Sequence, residues 1–220
     1  MKLEIDFVSQ QGNSYRNDCG PACVAMVTGA PISKVLAAAN HPLNKQMHIQ
    51  DIMRALLGFR LKREFVRPLH LPDARRWLAN GNPIVALIGY GRLPAAERAR
   101  DYDGNHYVLV VGYTADGGFF VHDPLWPDQA GAYRRWEDAV LGEAWANPVE
   151  ALPLQGVVVQ QPFAIAQPEM GELGLAVTTA LNHGVAMGYL EQIYQALDVA
   201  PGRLDGRQAN ALTKIAQLKK

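Results

Sequence analysis

The sequence predicts an α+β fold in which helices come first and strands later. Helical spacing of apolar residues dominates the first 58 residues, and continuous apolar runs concentrate between residues 84 and 122. Continuous rather than alternating runs are typical of strands buried on both faces. Because the two kinds of pattern are largely segregated along the chain, the order favours α+β over a regular βαβ alternation.

Each predicted element is bounded by residues that end helices or strands. Apolar residues at helical spacing, closed by glycine or a turn sequence, predict helices over residues 20–28, 31–39, 49–57 and 72–79. Short apolar runs between Gly, Pro, Asn or Asp predict strands over residues 3–8, 61–66, 84–88, 107–113, 119–122 and 157–160. Helical patterns return after residue 168. We therefore expect one domain over residues 1–162 and a helical appendage over residues 168–220.

Composition narrows the class of protein. The 220 residues include 21 basic and 21 acidic side chains, so the formal net charge is zero and bulk electrostatic binding to nucleic acid is not expected. Apolar residues make up 49% of the chain, enough for a substantial core. The charged start MKLEIDFVSQ does not resemble a signal peptide, and no run of about 18 apolar residues predicts a membrane span. A cytoplasmic globular protein is expected.

The segment 17–26, NDCGPACVAM, contains the first candidate for chemistry. Proline fits a helix only within its first turn, so Pro21 places the helix start at about Cys19 or Gly20. Unpaired N–H groups and the helix dipole at that end stabilise an anion. A thiol there has a lowered pKa, and its thiolate becomes available as a nucleophile. Cys19 is therefore predicted to be reactive.

The sequence has a second cysteine, Cys23, one helical turn further on within an apolar run. This position predicts a buried, inert thiol. A disulfide with Cys19 is awkward within one turn of helix. A zinc site would need two further ligands, and no nearby residues have suitable spacing.

Two further candidates flank predicted strands. His106 enters the run YVLVVGY, and Asp123 follows the next strand. If these strands pair through the turn between them, the start of one lies beside the end of the other, and His106 and Asp123 become neighbours. A thiolate nucleophile needs a base, and the base needs an acceptor that fixes its tautomer. Cys19, His106 and Asp123 supply all three types, whereas His122 should point to the opposite face and is predicted to be structural.

These segments resemble a known family. Asp18-Cys19-Gly20-Pro21, the run from His106 to Tyr113, and Asp123-Pro124 together are similar to the papain-like cysteine peptidases of the bacteriocin-leader-processing (double-glycine) type, in a free-standing form. The resemblance covers roughly residues 1–160. It implies a papain-like fold in which an N-terminal helix packs on an antiparallel sheet. The bacteriocin-processing members are often fused to a membrane transporter; we find no transporter segment in this sequence, so the resemblance does not imply bacteriocin export.

The resemblance also implies the roles of the site residues. Cys19 is the nucleophile, His106 the base and Asp123 the residue that orients it. An upstream glutamine helps to bind the oxyanion in this family, and here Gln11 is preferred, with Gln10 and Asn13 as alternatives. No metal or organic cofactor is required.

Three functions are compatible with this reading. The first is thiol-dependent hydrolysis of a peptide or related amide bond in a peptide or protein substrate. The second keeps the same triad but transfers the acyl group to an amine, as an acyltransferase or crosslinking enzyme. The third is a non-catalytic binding or assembly module that uses the C-terminal helices to bind a protein partner or a second copy.

Overall fold

The computed structural model describes residues 1–12, 17–43 and 45–166, and within them a mixed helical and antiparallel fold is observed. The α-helices are α1 (Cys19–Thr28), α2 (Ile32–Ala39), α3 (Ile49–Gly58), α4 (Leu71–Ala79) and α5 (Asp138–Ala146). The strands are β1 (Lys2–Leu3), β2 (Arg63–Val66), β3 (Ile84–Gly89), β4 (Asn105–Thr114), β5 (Gly118–His122), β6 (Arg134–Glu137), β7 (Gly156–Val159) and β8 (Ile165–Ala166). The α+β prediction is confirmed, and the predicted appendage over residues 168–220 lies outside the described residues.

The strands form one antiparallel sheet in the order β2-β7-β3-β4-β1-β8, with β5 pairing β4 and β6. β4 is central: it pairs β3 from Gly89↔Asn105 to Ile84↔Val110, and β5 on its other edge from Leu109↔His122 to Thr114↔Gly118. The turn between β4 and β5 contains Gly117 with φ 95°, a left-handed conformation that favours glycine. This hairpin brings the start of β4 to the end of β5.

Helix α1 lies in the core against β4. It begins at Cys19, and its first intrahelical bond runs from the N–H of Ala22 to the carbonyl of Asp18 at 2.8 Å. It ends at Gly29, whose φ of 67° closes the helix through an N–H bond to the carbonyl of Ala25. Residues 19–27 are all buried, so this helix is apolar all round and fixes Cys19 against the sheet.

Three parts of the fold differ from the sequence prediction. The strand predicted over residues 3–8 is reduced to Lys2–Leu3: the Glu4 N–H still bonds to Ala164 O, but the Ile5 N–H bonds to the Tyr133 hydroxyl instead of a neighbouring strand. Strand β6 and helix α5 were not predicted. β8, also unpredicted, pairs with β1 and extends the sheet to Ala166.

Within the part of the chain that the structure describes, no single helix is long and apolar enough to cross a membrane; only α1 and α2 taken together, bent by 103° at their junction, have the necessary length and apolar composition.

Candidate active site

Cys19 lies at the first position of α1 and is only 8% exposed. Its sulfur is hydrogen-bonded to the His106 side chain and to the backbone N–H groups of Tyr107 and Gly20. Burial raises the pKa of the thiol, but the hydrogen bond and positive charge of His106, together with the two N–H groups, outweigh burial and lower the pKa below its ordinary value. The environment therefore favours a thiolate, as predicted from Pro21.

His106 is the second residue of β4 and is 2% exposed. Its Nε2 lies 2.7 Å from Oδ1 of Asp123, which leaves Nδ1 for the hydrogen bond with Cys19. Burial lowers the pKa of the imidazole, but the charge and hydrogen bond of Asp123 and the contact with Cys19 prevail and raise it to about 9. An imidazolium is therefore stable beside the thiolate at neutral pH.

Asp123 is the first residue after β5 and is fully buried. Besides His106, its Oδ1 accepts the N–H of Leu125 at 3.0 Å, and its Oδ2 accepts the hydroxyl of Tyr90 at 3.3 Å. A buried carboxylate is tolerated only when paired and hydrogen-bonded, and both oxygens of Asp123 meet that condition. The predicted proximity of His106 and Asp123 is confirmed, and pairing of β4 with β5 is the cause.

The residues proposed for the oxyanion site differ in their surroundings. Gln11 is exposed, and its side-chain amide nitrogen donates to the carbonyl of Leu125. Gln10 is 6% exposed, its backbone N–H donates to Pro124 O at 2.9 Å, and its side-chain Oε1 has no partner among the described residues. Asn13 lies outside the described residues. Both glutamines thus lie beside the Asp123–Leu125 segment, but only Gln10 is enclosed.

Cys23 and His122 have the structural roles that the sequence predicts. Cys23 is fully buried and free, and burial, followed by the negative charges of Cys19 and Asp123, raises its pKa well above the ordinary value. His122 is also fully buried; its Nε2 donates to Ile5 O at 3.0 Å and its Nδ1 accepts the N–H of Tyr133 at 3.0 Å. Both ring nitrogens are therefore engaged by backbone away from Cys19.

Two features of the site were missed from the sequence. Tyr90, at the end of β3, bonds to Asp123 and packs against His106; the pairing Gly89↔Asn105 would have located it, had the β3–β4 register been predicted. Asp18 is 1% exposed, makes no side-chain cap to α1, and has a pKa raised by burial. No sequence signal separates a buried aspartate here from an ordinary helix cap.

The arrangement can perform nucleophilic chemistry. The side chains of Cys19, His106 and Asp123 form one continuous hydrogen-bonded chain in the core of the domain. Within the described residues no three His, Cys, Asp or Glu side chains are grouped as metal ligands.

Comparison with known proteins gives the family. The model of the Peptidase_C39 like family matches residues 2–150. A C39-like peptidase from Bacillus anthracis shares the fold with a TM-score of 0.55 and 12% identity, covering 74% of this chain and 100% of that chain. The peptidase domain of Streptococcus ComA, a bi-functional ABC transporter involved in a quorum sensing pathway, aligns with a TM-score of 0.49 and 15% identity, covering 73% of this chain and 98% of that chain. No curated protein sequence matches at a significant level. Because the family model covers well over half of the sequence, the chain belongs to the C39-like peptidase family and has its papain-like fold.

Proposed function

We propose that this protein is a cysteine peptidase that hydrolyses a peptide or related amide bond through Cys19, His106 and Asp123. The observation that carries the proposal is the buried hydrogen-bonded chain that links the three side chains, with Cys19 at the N-terminus of α1. Membership of a peptidase family supports the same reading.

In the proposed reaction the Cys19 thiolate attacks the substrate carbonyl carbon and forms a tetrahedral intermediate. The His106 imidazolium then gives its proton to the leaving amine, and a thioester between substrate and Cys19 remains. Neutral His106 next takes a proton from water, and the resulting hydroxide releases the acid and regenerates the thiolate. Asp123 keeps the ring in one tautomer and stabilises its charge throughout.

The oxyanion would be held by the backbone N–H of Cys19 and by a glutamine side chain. We favour Gln10 over Gln11, because the amide nitrogen of Gln11 is already engaged by the Leu125 carbonyl and its side chain faces solvent. Gln10 is enclosed next to Pro124, so its side-chain amide would donate from a position shielded from water. A donor that is shielded from water stabilises an oxyanion more strongly than an exposed one.

The proposal is tested by assaying full-length protein on a fluorogenic peptide-amide library. Cys19→Ala and His106→Ala should each lower kcat/KM by about 10³-fold or more, because the nucleophile and its base act together and the loss of either removes most of the catalysis. Cys23→Ala is the matched cysteine control and should keep activity within a few-fold, because Cys23 is a core thiol with a raised pKa. Hydrolysis that survives Cys19→Ala would overturn the proposed nucleophile, whereas a wild type that hydrolyses no peptide in the library would favour a binding or assembly module.

The same assay separates the remaining alternatives. Gln10→Ala should lower kcat by about 10²–10³-fold, the loss typical of one oxyanion donor, while Gln11→Ala changes it only a few-fold. The reverse ranking would assign the role to Gln11. Mass analysis of products with and without an added primary amine distinguishes hydrolysis from acyl transfer: a carboxylic acid product that persists in the presence of amine identifies a hydrolase, and a dominant amide product identifies a transferase.

A further inference from the structure

Tyr90 is a buried aromatic residue that contacts two of the three proposed catalytic side chains. It follows β3 directly, its backbone N–H donates to Gly104 O at 3.0 Å, and it is fully inaccessible to solvent. Its ring meets the His106 imidazole edge-on, with centroids 4.9 Å apart and an interplanar angle of 75°. The Tyr90 ring therefore restricts the tilt of the His106 imidazole.

The Tyr90 hydroxyl has its hydrogen-bonding direction fixed by its neighbours. It accepts the backbone N–H of Ala99 at 2.7 Å, and it lies 3.3 Å from Oδ2 of Asp123. A phenol has one proton, and an N–H can only donate to it, so the phenol proton remains available for the carboxylate. Burial and the negative charge of Asp123 raise the pKa of Tyr90 well above its ordinary value, so the phenol keeps this proton throughout the working pH range.

Asp123 depends on this hydroxyl for the placement of its second oxygen. Oδ1 is held by His106 Nε2 and by the Leu125 N–H, whereas the side-chain bond recorded for Oδ2 is the one from Tyr90. Without it the carboxylate can rotate about its Cβ–Cγ bond, and Oδ1 leaves the line of the imidazole N–H. Misplacement of a group that orients a catalytic base lowers the rate of reaction and leaves substrate binding unchanged.

We infer that Tyr90 is a positioning residue of the peptidase site, which holds the Asp123 carboxylate through its hydroxyl and the His106 imidazole through the edge-on ring contact and thereby aligns the imidazole with Cys19. This inference rests on the proposed function. It adds a residue that the order of Cys, His and Asp in the sequence does not reveal. It also ties the segment that contains Ala99 to the site, because the Ala99 N–H sets the orientation of the Tyr90 hydroxyl.

The test is Tyr90→Phe in the full-length protein, with Tyr133→Phe as the matched control. Tyr133 also donates its hydroxyl to backbone, at 3.0 Å from Leu3 O, but it contacts His122 and not His106. We expect Tyr90→Phe to lower kcat by about tenfold, a loss of one hydrogen bond to a charged group, and to leave KM within twofold. Tyr133→Phe should lower the melting temperature comparably and leave kcat unchanged.

A double-mutant cycle shows whether Tyr90 acts through Asp123. If it does, Tyr90→Phe loses most of its effect on kcat in an Asp123→Ala background, because the hydroxyl has no carboxylate left to orient. In addition, the downfield proton resonance of the His106–Asp123 hydrogen bond should shift or broaden in Tyr90→Phe and stay in place in Tyr133→Phe. An unchanged kcat, or the same fold-loss in both backgrounds, would overturn the inference. Those results leave the proposed function intact, since that function fails only if Cys19→Ala remains active.

Discussion

At the residue scale, the two buried histidines of β4 and β5 show how partners decide protonation. His106 faces a carboxylate and a thiolate, and its pKa is raised to about 9 despite burial. His122 is buried among backbone groups and aromatic rings, and burial lowers its pKa to about 4. Its Nδ1 accepts the Tyr133 N–H, so a proton on that nitrogen would break a buried hydrogen bond. His106 can therefore serve as the proposed general acid in its charged form, whereas His122 stays neutral and has a structural role.

The neutral state of His122 predicts a loss of stability in acid. In the unfolded chain the pKa of His122 is about 6.5, so its imidazole is protonated below that pH. In the folded chain the same imidazole stays neutral until the pH falls to about 4. Stability from His122 is therefore present above pH 6.5 and is lost between pH 6.5 and 4, by on the order of 3 kcal/mol. His106 does not contribute in this window, because it is protonated in both states; its contribution is lost only as the pH rises from 6.5 through about 9.

Urea unfolding of the wild type and of His122→Gln between pH 6.5 and 4 measures this contribution. Glutamine keeps one donor and one acceptor but does not titrate. The variant should be less stable at pH 6.5, and the difference should shrink as the pH falls. Parallel stability curves would contradict the assignment.

Three of the proposed site residues could be predicted from the sequence, and others could not. Cys19 was found because Pro21 marks a helix start, and His106 and Asp123 because each borders a strong apolar run. The glutamine stayed ambiguous, because adjacent Gln10 and Gln11 differ only in burial, which spacing cannot distinguish. Tyr90 was missed because its role depends on a strand register.

At the scale of elements, the strongly apolar helices and strands were predictable from the sequence, and the polar strand β6 was not. α1 and β4 are buried along nearly their whole lengths, and their continuous apolar runs made both elements predictable from the sequence. β6 reads Arg-Arg-Trp-Glu and buries only Trp136; it is a strand because its backbone pairs with β5 from Gly118↔Glu137 to Val121↔Arg134. Long-range backbone pairing of this kind leaves no local pattern.

The β5–β6 connection supports Asp123 through a close approach of two backbones. Asp123 N donates to Gly131 O at 2.9 Å. A Cβ at Gly131 would lie 2.2 Å from Asp123 O and 2.6 Å from Cζ of Phe7. The absence of a side chain at residue 131 therefore lets the connection pack directly against the Asp123 backbone.

Gly131→Ala should consequently reduce both stability and activity. Overpacking against backbone costs about 1–3 kcal/mol and shifts Asp123, so we expect a lower melting temperature and a lower kcat. Gly142→Ala is the control: its Cβ in α5 would meet only Leu71 Cδ1 at 3.5 Å, and alanine should stabilise the helix by about 0.5–1 kcal/mol. Melting curves and turnover of Gly131→Ala that match the wild type would contradict this role of Gly131.

At the scale of the whole molecule, the fold class and the segment that carries it were both predictable. The resemblance was placed on residues 1–160, and the family model matches residues 2–150. The segments around Cys19, His106 and Asp123, taken in their order along the chain, were sufficient to identify the family, because each has a recognisable local sequence. The order of strands in the sheet was not predictable, because β7 lies beside β3 although the two strands are far apart in sequence. The cytoplasmic location and the role of residues 168–220 stay predictions.

The central claim is that Cys19 is a thiolate paired with the His106 imidazolium, and its alkylation rate as a function of pH tests this most directly. Iodoacetamide labelling of Cys19, followed by mass analysis of its peptide, should give a rate between pH 6 and pH 8 that is higher than in His106→Ala and rises less steeply with pH, because the lowered pKa of Cys19 leaves a larger thiolate fraction. The rate in His106→Ala should instead rise about tenfold per pH unit, as for a model thiol below its pKa. A wild-type rate that also rises tenfold per unit over this range would contradict the ion pair and the mechanism built on it.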